Sequence, residues 1–234
     1  MTRSIPWPRI LAEGVAIVVS ILLAFGIQAW WQGVQDRLVE EAHLGALQAD
    51  LTESLRLLAE YDRGLEGVHS ALINLLESDL GSEPGEVVAQ WMKTGLFEMW
   101  EYEPRMASLG DLQASNQLGL LTPEVRRQVS GVVRALTDND RVQRDLRGAQ
   151  EGFIDPFLVD NLPMASVIAE TFDLSLSDAL PASPDWSALG RSDARNRMAV
   201  KLSLITYVYP RRATLLRELQ SLKTLVDARL GDLR

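Results

Sequence analysis

The residues best suited to chemistry are two histidines, each three positions after a glutamate: Glu40 with His43, and Glu66 with His69. On a helix that spacing turns a carboxylate and an imidazole to one face, and two such pairs on facing helices hold a di-metal centre. Both pairs here lie on one continuous helical pattern, separated by a rise of about 39 Å, so they cannot share an ion. They read as surface side chains, and no metal ligands, cofactor-binding residues or catalytic residues are expected.

Other catalytic constellations are equally thin. The chain has no cysteine, which removes thiolate nucleophiles, thiolate metal sites and disulfides. Serine is plentiful, but Gly-x-Ser-x-Gly, the P-loop and Gly-x-Gly-x-x-Gly are all absent. The carboxylate pairs Glu98/Glu101 and Asp138/Asp140 could serve acid–base work. In an acidic chain they read as solvated faces. Trp91, Met92, Phe97, Met99, Trp100, Tyr102 and Met106 could line a ligand pocket, yet aromatic and methionine side chains at helical spacing more often make core.

The balance of 23 basic against 32 acidic residues, a net charge of -9, weighs against nucleic acid, which needs a basic stripe to neutralise phosphates. Arg126, Arg127, Arg134, Arg141, Arg144 and Arg147 follow one helix, but Glu124, Asp138, Asp140 and Asp145 are interleaved with them.

The most informative element is near the N-terminus. From Gly14 to Ile27 the chain carries no charge, and apolar flanks extend the stretch from Ile10 to Trp31, enough to cross a hydrocarbon core of about 30 Å. Trp7 stands before it and Trp30 and Trp31 at its end, a rise of about 35 Å, so the indoles fall at the two headgroup levels. A cleaved signal peptide is the competing reading, with Arg3 and Arg9 as its basic start. No small-x-small cleavage site follows the apolar run, so it is expected to stay as an anchor. Arg3 and Arg9 precede the span, while Asp36, Glu40, Glu41 and Asp50 against Arg37 follow it. The positive-inside rule then places residues 1–9 in the cytoplasm, a transmembrane helix at 10–31, and residues 32–234 outside a bacterial inner membrane, in the periplasm. Trp7, Arg9, Glu13, Trp30 and Trp31 are the expected interface anchors, Arg9 and Glu13 meeting at i, i+4 spacing. Ala12, Ala16, Ser20, Ala24 and Gln28 recur every four residues, a ridge of small side chains suited to lateral helix packing.

The remainder predicts an all-α domain. Leu44, Leu47, Leu51, Leu55, Leu58, Leu65, Val68, Leu72 and Leu75 step by three, four and seven, a long amphipathic helix continuing from the membrane and open to bending at Gly33, Gly45 or Gly64/Gly67. After Gly81–Gly85 a shorter helix carries Val87 to Trp100 and ends at Pro104. Residues 105–121 read as a short helix and turn. Thr122-Pro123-Glu124 starts a helix to about residue 150, with Thr122 as N-cap, and Asp155-Pro156 starts a short one. Residues 173–192 read as a loop pinned by Trp186. Met198 to Leu230 forms a long final helix with Ser192 as N-cap and a kink at Pro210. The first and last long helices pair in a periplasmic helical bundle.

Residues 12–51, AEGVAIVVSILLAFGIQAWWQGVQDRLVEEAHLGALQADL, with an acid-Gly start, an Ile/Leu-Ala core, a Gln-x-x-Trp exit and a closing Leu-x-x-Asp-Leu, resemble a bacterial family of small single-span membrane proteins without assigned activity. Residues 106–133 are similar to it more faintly. Where the family has Gly-Glu, this chain has Glu13-Gly14. The resemblance implies an anchor with an outer helical domain and no catalytic residues.

The expected role is a non-enzymatic accessory or scaffold subunit, its N-terminal helix docked through the small-residue ridge to integral membrane subunits while the bundle braces the complex outside. Respiratory and photosynthetic assemblies are the host classes to try first, by analogy of build. The partners are other membrane subunits and the lipid bilayer, with a second copy of the chain as a further candidate and nucleic acid excluded. The alternative is a periplasmic sensor or ligand-binding module acting through a membrane partner, since about nine cytoplasmic residues are too few for a signalling domain. A periplasmic enzyme ranks last.

Overall fold

The computed structural model describes residues 7–115, 117–171 and 186–233, with side chains from residue 17 onward except 170 and 171. Among these residues there are helices and no strand. The first helix, α1, runs from Trp7 to Glu77, 71 residues without interruption, passing through Gly26, Gly33, Gly45, Gly64 and Gly67 without a break.

Its length follows from a strict repeat. Leu44, Leu51, Leu58, Leu65 and Leu72 recur every seven residues, and so do Leu47, Ser54, Tyr61, Val68 and Leu75; all ten are buried. A seven-residue repeat keeps one seam facing a partner helix. That partner is α7, Ser192–Leu233, whose Val208, Leu215 and Leu222 and whose Ile205, Leu219 and Val226 follow the same period and are also buried. The two helices are antiparallel: Arg229 Nε and Nη2 donate to the Glu40 carboxylate at 2.8 and 2.9 Å, and at the far end Arg195 donates to the Leu76 carbonyl. The bundle is therefore a rod, α1 contributing a rise of about 55 Å from Glu40 to Glu77.

A third long helix, α4, Pro123–Ala149, packs along α7. Thr122 is its N-cap, accepting from the Val125 amide at 3.4 Å, and Pro123 holds the first helical position. Thr122→Ala is expected to cost about 1 kcal/mol of unfolding free energy, the usual loss for a cap, measurable by urea titration. Shorter helices close the ends: α2 Gly85–Met92, α3 Ala107–Ala114, α5 Asp155–Asn161 and α6 Met164–Thr171.

Two cores follow one another along the rod. Nearer the N-terminal apolar stretch, Leu44–Leu65 of α1 pack with Leu109, Val125, Val132 and Val208–Leu230. Farther out, Val68–Leu75 pack with Val88, Met92, Phe157, Val167, Trp186 and Met198. Trp186 does pin its segment, on a short 3-10 turn Trp186–Gly190; residues 173–185 of the expected loop lie outside the described residues. Ser192 is itself the first residue of α7, and the helix runs through Pro210 to Leu233.

One expected element ends early. The helix expected to reach Trp100 stops as α-helix at Met92, makes a π-turn over Lys93–Phe97, and is extended from Glu98. Tertiary contacts decide this. Gly95 sits so close to α1 that a Cβ there would lie 3.3 Å from the Ala71 side chain. Beyond it, Ser54 exchanges hydrogen bonds of 2.9 Å with both the amide and the carbonyl of Arg105, and Tyr102 donates its hydroxyl to the Ser54 carbonyl at 3.1 Å. A serine at a core position of α1 thus holds an extended segment against the rod.

Candidate functional site

The feature with the clearest consequence is what the rod leaves uncovered. From Ile17 to Val39 no residue of α1 is buried; Leu22, Phe25, Ile27 and Trp30 are 64%, 64%, 65% and 67% exposed. A core helix of a water-soluble domain would be covered, so burial separates the two uses of an apolar helix. This helix is long and apolar enough to cross a membrane.

Ser20, Ala24 and Gln28 of the small-residue ridge lie on this exposed stretch, as do the adjacent Trp30 and Trp31, whose rings are 6.4 Å apart. Ala12, Ala16, Trp7, Arg9 and Glu13 belong to α1, but their side chains lie outside the described residues.

The constellations singled out for chemistry come apart. Glu40 is taken by Arg229, and His43 bonds to the Gln117 side chain. His69 meets the Tyr209 ring edge-on at 5.8 Å. Among the described residues no group of acids and histidines could hold a metal. Glu98 accepts from the Trp100 indole and Glu101 pairs with Arg147, so these carboxylates serve separate contacts. The aromatic and methionine cluster divides: Met92 is buried in the outer core with Trp91 and Phe97 against it, Tyr102 is buried in the inner core with Met106 beside it, and Trp100 remains 39% exposed.

What residue-type reasoning passed over is a set of polar side chains at core positions. Continuing the seven-residue repeat of α7 puts Lys201 in line with Ala194 and Val208, and Arg212 in line with Ile205 and Leu219. The same step on α4 puts Asn139 between Val132 and Leu146. That extrapolation was the signal available in the sequence.

Lys201 is 2% exposed and donates to the Gln150 side-chain oxygen at 2.8 Å and to the Leu96 carbonyl at 3.2 Å. Both acceptors lie on π-turns, Lys93–Phe97 and Gln150–Ile154. Each such turn inserts a residue into the helical ladder and re-aims local groups. Burial pushes the Lys201 amine down to about 8, with Asp155 acting in the opposite sense.

Near the junction of the two cores, Arg212 Nε stands 2.9 Å from Asp62 Oδ1. The N–H does not point at the oxygen, so Asp62 Oδ1 and Arg212 Nη1 both lack a hydrogen bond, as does the buried Tyr61 hydroxyl. Burial raises the Asp62 carboxyl above its ordinary range despite the opposing arginine, and raises the Tyr61 hydroxyl likewise. Buried polar atoms without a hydrogen bond cost free energy, so this ion pair is no source of stability.

On the outside, the Trp100 ring lies over Gly64 of α1, where a Cβ would be 2.0 Å from the ring. Gly64→Ala is expected to expel the indole into water, shifting its fluorescence to the red. The gain of about 1 kcal/mol in helix propensity offsets much of the lost packing, so the unfolding midpoint should move little.

No family model, curated protein or solved structure matches this chain.

Proposed function

We propose that this protein is a non-enzymatic, membrane-anchored accessory or scaffold subunit, with its rod in the bacterial periplasm and its N-terminal helix packed laterally against integral membrane subunits of a larger complex. The observation that carries the reading is the form of α1: one uninterrupted helix has no buried residue from Ile17 to Val39 and supplies the core seam of the rod farther on. Such a joint transmits position, because the rod has no flexible linker on which to swing. The small-residue ridge offers the close approach that helix association in lipid requires, and the charge difference across the span favours an external rod.

Placement and packing are tested separately. The chain has no cysteine, so Ser82→Cys, on an exposed turn, gives a single thiol. It is expected to react with a membrane-impermeant maleimide in intact spheroplasts; reaction only after lysis contradicts the orientation. A photo-crosslinking residue at Ala24 is expected to yield a discrete protein adduct. The same residue at Leu22, about 160° round the helix, should mark lipid. Equal patterns from the two sites contradict the ridge.

A further inference from the structure

Three rings of this rod carry arginines from the same chain. Arg197 lies over Phe157 at 5.1 Å, Arg211 over Tyr207 at 3.3 Å and Arg212 over Tyr209 at 4.9 Å. Trp100, the ring type that attracts a cation most strongly, has no such cation among the described residues. Its inner face rests on the bare backbone at Gly64, and its Nε1–H donates to Glu98 Oε2 at 3.3 Å, which fixes the ring plane.

The ring forms one wall of an open groove of about 380 Å³ between α1 and the extended segment after the Lys93–Phe97 turn. Glu60, Glu98 and Arg63 also line it, leaving the lining acidic by one charge. Glu60 is engaged by Arg56, and Arg63 Nε donates back to the Ala59 carbonyl at 3.4 Å. The carboxylate of Glu98 stands beside the ring as a counter-charge for a cation placed on it, and its Oε1 has no hydrogen bond among the described residues.

We propose that the open face of Trp100, with Glu98, is the seat of an arginine side chain presented by a partner protein. A guanidinium stacks flat on an indole and keeps its edge N–H groups free to reach a carboxylate beside the ring, which an ammonium cannot do as well. The net charge of -9 favours a basic partner surface. This deepens the accessory-subunit reading by naming the chemistry of one contact, and it rests on that reading for the partner being a protein.

The test uses the full chain in detergent micelles, labelled with 5-fluorotryptophan, whose six tryptophans give separate fluorine resonances, that of Trp100 assigned with Trp100→Phe. The probe is acetyl-Gly-Arg-Gly-amide, with the uncharged citrulline peptide as control. The Trp100 resonance is expected to shift saturably, at least tenfold more weakly with citrulline, and at least threefold more weakly in Glu98→Gln. An unmoved resonance, equal response to citrulline, or free guanidinium binding as tightly as the peptide would overturn the proposal. In native membranes, Trp100→Ala should weaken the complex while the protein stays in the bilayer. A complex that survives Trp100→Ala unchanged defeats this inference and leaves the accessory function standing. A wild-type protein that travels alone defeats the function, while the peptide titration still reports on the ring.

Discussion

Leu22→Arg together with Leu23→Arg is expected to release the protein from the membrane. Both positions lie near the middle of the apolar stretch and are 64% and 62% exposed, so the substitution removes no contact within the rod. Exchanging leucine for arginine at the centre of a spanning helix costs about 3 kcal/mol per position, so the pair shifts insertion by about 6 kcal/mol. The variant should move from the membrane pellet into the soluble fraction or be degraded, whereas Leu22→Ile with Leu23→Ile should behave as wild type. Circular dichroism of the released protein should retain the helical signal, because the cores begin beyond Val39. Retention in the membrane would mean that attachment lies in the rod.

The second large effect concerns Lys201 and pH. Its amine titrates near 8 in the folded chain and near 10.4 when unfolded. Below pH 8 both states carry the proton, and the full cost of the buried charge is present. Between pH 8 and 10 the unfolded chain binds more protons than the folded one, so stability rises with pH. The rise amounts to about 2–3 kcal/mol relative to Lys201→Met, which lacks it. In the neutral form two N–H bonds suffice for the two acceptors, Gln150 and the Leu96 carbonyl. Above pH 10 the trend reverses. The Tyr102 hydroxyl is pushed up to about 12 by burial, and the unfolded chain then loses tyrosine protons first. Urea titrations of both proteins at pH 7, 8, 9 and 10 measure the difference. Parallel curves would contradict this, because they would show that the folded chain holds the Lys201 proton as tightly as the unfolded one.

Much of the architecture was legible because long helices advertise their seams. The leucines of α1, the Thr122-Pro123 start and the Asp155-Pro156 start are local signals that the fold respects. The end of α2 was not legible. Pro104 looked like the terminator, but the contact of Gly95 with Ala71 and the capture of Arg105 by Ser54 stop the helix before it. Those are tertiary interactions between segments far apart in sequence, invisible to a local pattern. Lys201, Arg212 and Asn139 were hidden for another reason: residue type places them on the surface, while the seven-residue repeat places them in the core, and the repeat prevails. The groove under Trp100 needs a glycine on one helix to meet an indole from another segment, and no spacing within either announces it.

An accessory subunit of this build must assemble through its uncovered helix. The decisive measurement is extraction from the native membrane in mild detergent, followed by native electrophoresis with mass-spectrometric identification of all proteins that migrate together. A discrete large complex containing this chain at constant ratio, lost in a variant with Ser20 and Ala24 both replaced by leucine, is the result expected. Migration of the wild-type protein alone, or only with copies of itself, would contradict it.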